Sequence, residues 1–102
     1  KYLKTLIMKI STREIVMTKE TFIKQEKLFK EKTGEDFTTL YKKYYPKLKS
    51  YTTKICKDRK AAEDLSTDSF ILALEKINLY DKEKIQFSTW LFNITKKLIR
   101  NG

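Results

Sequence analysis

Three features of the sequence predict an all-α fold, a small helical bundle of three core helices plus an N-terminal accessory helix. Apolar residues recur every three or four positions, turn formers are scarce, and helix-start residues precede most of the periodic runs. Two glycines and one proline stand among 102 residues that include 23 Lys or Arg and 13 Asp or Glu. That composition favours helix and lacks the punctuation an all-β chain requires. The length suits one compact domain with one modest core.

Taken in order, Thr18 can cap a first helix in which Phe22, Ile23, Leu28 and Phe29 gather on one side, and Gly34 suits the left-handed position after its end. Residues 1–35 are assigned to an N-terminal helical extension, whose thin apolar stripe must dock on the core or on a partner to be stable. Asp36 is expected to cap the second helix and opens the 36–102 domain; Phe37, Leu40, Tyr41, Tyr44, Leu48, Tyr51 and Ile55 form its core-facing stripe. Pro46 removes a backbone donor inside that helix and predicts a kink near residues 42–45. Asp58 caps the third helix, expected over 60–77. There Ala62, Leu65, Ser69, Leu72 and Lys76 share one side, and Phe70, Ala73, Leu74 and Ile77 an adjacent one. After the polar segment 78–86, Phe87 or Ser88 opens a fourth helix with Phe87, Trp90, Leu91, Ile94 and Leu98 on one face.

The formal charge is +10, with no histidine. Such a field attracts phosphate and makes nucleic acid the natural partner, although a lysine-rich surface also serves solubility alone. Cys56 is the only cysteine, so no intrachain disulfide can form and the common zinc frameworks are excluded, in keeping with a cytoplasmic protein. Without histidine the Ser-His-Asp and Cys-His arrangements are excluded too, and neither an enzyme nor a cofactor is expected. The apolar run of the first ten residues is interrupted by Lys4 and Lys9 and has no cleavage pattern after it, so no secretion signal is read there. The apolar stretches fall far short of the roughly 20 residues that span a bilayer, and a soluble chain is expected. Lys1 is not an initiator; Met8 and Met17 are candidate starts unless residues precede Lys1.

Four constellations could carry function. Ala62-Glu63-Asp64-Leu65-Ser66-Thr67-Asp68-Ser69-Phe70 is an acidic, hydroxyl-rich strip in a basic chain. Asp64 and Asp68 lie one helical turn apart, a like-charge spacing that suits a cationic partner and equally a solvated face. The segment from Asn78 through Leu79, Tyr80, Asp81, Lys82, Glu83 and Lys84 to Ser88, Thr89 and Trp90 mixes aromatics, amides and lysines. Those groups hold single strands by stacking and phosphate contact, though Phe87 and Trp90 also read as core anchors. On the last helix Asn93, Lys96, Lys97 and Arg100 follow i, i+3, i+4, i+7 and form one polar stripe suited to a phosphate backbone, or simply to water. In Lys42-Lys43-Tyr44-Tyr45-Pro46-Lys47, the rings of Tyr41, Tyr44 and Tyr51 are better explained as half-buried bodies with surface hydroxyls than as a binding patch.

Together these segments resemble region 2 of the sigma-70 family, in particular its extracytoplasmic-function (ECF) group, over residues 36–102. Phe37-Thr38-Thr39-Leu40-Tyr41 through Tyr45-Pro46-Lys47-Leu48 is similar to the family's opening helix. Ala62-Glu63-Asp64-Leu65 followed by Phe70 resembles the helix that docks on the clamp coiled coil of the polymerase β′ subunit. Phe87-Ser88-Thr89-Trp90-Leu91 with Ile94 resembles the F-x-x-W-L-x-x-I segment that faces the minus-ten promoter element. Thr67 stands where a glutamine is usual, and Lys97 where an asparagine is common.

The resemblance implies a non-enzymatic transcription initiation factor domain that binds core RNA polymerase through Glu63, Asp64, Leu65, Thr67, Asp68 and Phe70. It implies further that Asn78, Tyr80, Lys82, Lys84, Ser88, Thr89, Trp90, Asn93, Lys96, Lys97 and Arg100 meet the non-template strand of promoter DNA, with a flipped base accepted by the loop. Two alternatives stay open: a sigma-like domain that holds polymerase or an anti-sigma factor without reading a promoter, and a general basic helical nucleic-acid binder.

Overall fold

The computed structural model describes residues 19–101, with side chains through Arg100, as four α-helices. These are α1 (Lys19–Thr33), α2 (Phe37–Cys56), α3 (Arg59–Glu75) and α4 (Phe87–Asn101), with a 3₁₀ turn at Ile77–Leu79 between the last two. The described residues contain no strand, and the all-α bundle expected from the periodicity is the fold observed.

Local chemistry explains the boundaries. Gly34 adopts φ 84°, a left-handed conformation that costs glycine little, and its N–H donates to the Lys30 carbonyl at 2.8 Å, closing α1. Asp36 occupies the extended position before α2, but its carboxylate does not cap the helix; it lies 3.6 Å from Lys30 Nζ instead. Asp58 does cap α3, accepting from the Lys60 N–H at 3.2 Å. Its neighbour Lys57 ends α2 at φ 55°, a conformation that a non-glycine residue adopts at a cost. Helix α2 runs unbroken past Pro46, which is exposed. The Thr18 cap lies outside the described residues.

The core is aromatic. Phe29, Phe37 and Phe70 are completely enclosed, and Phe29 meets Phe37 and Phe87 edge to face at 5.1 and 5.3 Å. Tyr41 packs on Phe70 at 4.7 Å and stacks on Tyr45 at 5.1 Å. The extension helix therefore docks on the core, with Phe22 and Phe29 as its buried contacts, while Ile23 faces outward. One residue of the expected α2 stripe is misplaced by the periodicity: Ile55, in the last turn of α2, is exposed.

Helix α3 lies against both α2 and α4, and small residues line those contacts. Ala62, Ser66, Ser69 and Ala73 are all buried. Thr52 Oγ1 on α2 lies 3.1 Å from Ser66 Oγ, and Thr95 Oγ1 on α4 lies 2.7 Å from Ser69 Oγ. Hydroxyls that would be costly if left alone in the interior thus satisfy one another or a carbonyl of the preceding turn.

Candidate nucleic-acid interface

Two of these helices, α3 and α4, carry the residues singled out in the sequence. On α3 the enclosure by two neighbours leaves a narrow outward strip in which Asp64, Leu65 and Asp68 are all partly exposed, while Glu63, also partly exposed, lies on the face of Ser66, Thr67 and Phe70, toward α2. Glu63 is engaged with its surroundings, 3.2 Å from Lys49 Nζ across the helix pair and 3.5 Å from Arg59 Nε one turn back. Two residues expected to belong to this surface are interior. Thr67 is 4 % exposed and Phe70 is wholly enclosed among Phe37 and Tyr41, so both can support the strip from within but cannot touch a partner. The hydroxyl-rich character of the segment has the same origin, since Ser66, Thr67 and Ser69 turn inward.

Helix α4 has a cleaner division. Phe87 and Leu91 are buried, Trp90, Ile94 and Leu98 are partly buried, and Asn93, Lys96, Lys97 and Arg100 are all exposed on the other side. Ser88, Thr89, Asn93 and Lys96 are brought together around one shallow depression. On the opposite flank a groove between α3 and α4 is lined by Leu72, Lys76, Leu79, Trp90, Ile94 and Lys97, so an edge of the indole is reachable from outside.

The segment before α4 is structured. After the 3₁₀ turn, Asp81 organises a second turn: its carboxylate accepts from the Glu83 N–H at 3.0 Å, and its carbonyl from the Lys84 N–H at 3.1 Å. Asn78, Lys82 and Lys84 are exposed. Tyr80 is the exception, a base-stacking candidate only 3 % exposed. Its ring fills the space between Phe87 at 5.8 Å and Trp90 at 5.0 Å, and burial, with Asp81 and Tyr44 nearby, raises its phenol pKa above the ordinary value. Tyr80 roots the loop and is not available to stack on a base.

The sequence reading missed how that root is held. Gln25 of α1 donates its side-chain amide to the carbonyls of Leu74 and Glu75 at 2.9 and 3.0 Å, and Lys32 Nζ donates to those of Asn78 and Tyr80 at 3.2 and 3.0 Å. A signal was present: positions 22, 25, 29 and 32 share one stripe of α1, so these two polar residues lie on the face that buries Phe22 and Phe29. Leu79, between the two tethered carbonyls, is left 71 % exposed.

Residues 40–102 match the family model of sigma-70 region 2. The chain belongs to the sigma-70 region 2 family. No curated protein and no solved structure matches it.

Region 2 is a transcription-factor domain and not an enzyme, associated with RNA polymerase binding and promoter recognition. The match begins within α2, so α1, with Gln25 and Lys32, lies outside the matched residues. Among the described residues no group of His, Cys, Asp and Glu side chains is arranged to hold a metal ion. No described helix is long and apolar enough to cross a membrane.

Proposed function

We propose that this region 2 domain is of the ECF type, docking on the clamp coiled coil of the β′ subunit through the outward strip of α3. The 78–86 loop and α4 then receive the melted non-template strand of the minus-ten element. The observation that carries this reading is the exposure of Asn93, Lys96, Lys97 and Arg100 together on the outer face of α4, continuous in sequence with a loop whose backbone is fixed.

Each side chain then has a task set by its chemistry. The three cations neutralise phosphates and give affinity without sequence preference, while Asn93, with both donor and acceptor, can reach a base edge. Lys82 and Lys84 extend the cationic track, and Asn78, Ser88 and Thr89 supply hydrogen-bonding edges. A base swung out of the duplex costs a few kcal/mol, offset by hydrogen bonds and by contact with an accessible aromatic ring. Trp90 meets that requirement and Tyr80 does not. On the other surface, Asp64 and Asp68 offer charge to a basic helix and Leu65 an apolar contact, with Thr67 and Phe70 fixing the strip from inside.

The test is charge reversal of the acidic pair. Asp64→Lys with Asp68→Lys is expected to weaken binding to the isolated β′ clamp helices about tenfold or more, with the helical signal unchanged in circular dichroism. Unchanged clamp affinity would overturn the docking assignment. Clamp binding by the wild-type chain without any single-strand binding would favour a polymerase-holding domain that does not read promoters.

A further inference from the structure

The polar residues of α1 point to a task for a helix that the family match does not include. Helix α3 ends at Glu75 and, like any helix, leaves its last carbonyls without partners from its own backbone. The Gln25 amide reaches two carbonyls of that final turn, Leu74 and Glu75, from a residue 49 positions earlier in the chain. Two turns further along α1, the Lys32 ammonium reaches the Asn78 and Tyr80 carbonyls, which flank Leu79. An ammonium has three donors and no acceptor. Two of the three are used here, drawing both carbonyls toward α1 while the intervening side chain is turned outward. Between the two polar contacts on the same stripe, Phe29 is sealed against Phe87 at the start of α4. The loop root is thus gripped on one side by the Tyr80 ring in the core and on the other by donors from α1. Glu31 and Lys32 also stand beside Asn78 and residues 81–84 around the depression that the loop forms.

We infer that Gln25 and Lys32 are positioning residues of the loop that fix the backbone of residues 74–80, so that the loop meets a flipped base in one preformed shape. This rests on the reading of the loop as the base-accepting element. The physical reason is preorganisation: a loop that must be ordered when the strand arrives loses part of the gain from stacking and hydrogen bonding, whereas one held in advance does not. Affinity from phosphate contacts should be insensitive to this grip, and discrimination at the flipped base should depend on it.

The experiment uses the 102-residue chain and three variants: Lys32→Met, which keeps the stem and removes the donors, Lys32→Arg, which restores them, and Gln25→Leu. Amide hydrogen exchange is expected to quicken within 77–85 for Lys32→Met and at 74–80 for Gln25→Leu, with α2 and α4 unaltered and Lys32→Arg close to wild type. The second readout uses a single strand selected by the wild-type chain from a randomised oligonucleotide pool, compared with the same strand made abasic at its most discriminating position. The preference for the intact strand should fall about tenfold in Lys32→Met, the scale of one stacked base, and recover in Lys32→Arg, while the salt dependence of binding stays constant. Unchanged exchange in the loop, or exchange quickened throughout the chain, overturns the inference. So does full discrimination retained by Lys32→Met. If the wild-type chain shows no discrimination at any position while the exchange effect is local, the grip stands and the base-accepting reading of the loop fails.

Discussion

Helices α3 and α4 each carry one of the two proposed binding surfaces, and they do so under different constraints. Helix α4 has a packed face and an open face, so the i, i+3, i+4, i+7 stripe of Asn93, Lys96, Lys97 and Arg100 sits where helical spacing puts it. Helix α3 is enclosed by α2 on one side and α4 on the other, and most of its circumference is interior. The polar residues Ser66, Thr67 and Ser69 are drawn inside because small hydroxyls allow close helix approach and can bond a carbonyl one turn back. What remains outward is a strip narrow enough that every side chain on it is only partly exposed. Amphipathic spacing reports the surface of a helix with one neighbour; a helix with two neighbours needs a three-dimensional answer.

The contrast can be broken most severely at Phe70. If that residue belongs to the interior of α3, Phe70→Ala should destabilise the fold by about 3–5 kcal/mol in denaturant titration. A loss below about 1 kcal/mol would mean that the ring does not fill the core and that α3 is less enclosed than described. The counterpart on α4 is Lys96→Ala, Lys97→Ala and Arg100→Ala combined. Stability should change little, while the slope of log affinity against log salt for single-stranded DNA should fall by about 2. An unaltered slope would mark the stripe as merely solvated. The smallest effect sharpens the comparison from the side of α1. Burial, and secondarily Asp36, raises the Glu26 pKa above 4.5. The fold therefore favours the protonated acid, and that preference is lost as pH rises through the shifted value. Glu26→Gln should melt about a degree or two higher than wild type at neutral pH, with the difference closing as pH falls toward the ordinary value. A constant difference across that range would show that the carboxyl is not the cause.

Much of this was legible in the sequence, for local reasons. Gly34 and Asp58 mark helix ends through backbone conformation and a side-chain cap, and the stripes Phe37-Leu40-Tyr41-Leu48 and Phe87-Leu91 are buried as their spacing requires. What stayed hidden depends on residues far apart in the chain. Tyr80 carries the same hydroxyl and ring whether it stacks on a base or fills a gap beside Trp90, and only the position of α4 decides which. Gln25 and Lys32 share the stripe of Phe22 and Phe29, but which carbonyls they reach is decided only by α1 lying along the end of α3. Asp36 stands at its expected helix start but turns its carboxylate toward Lys30, since an ion pair and a cap compete for the same oxygens.

The joint between α2 and α3 has an implication of its own. Lys57 is held at φ 55° with its side chain in solvent, so the bond geometry there serves the sharp change of direction and the ammonium contributes nothing to it. A glycine at this site would relax the main chain by about 1 kcal/mol, less the greater freedom it gives the unfolded chain. Replacing Lys57 with glycine would thus exchange one positive surface charge for relief of the main chain in a single step.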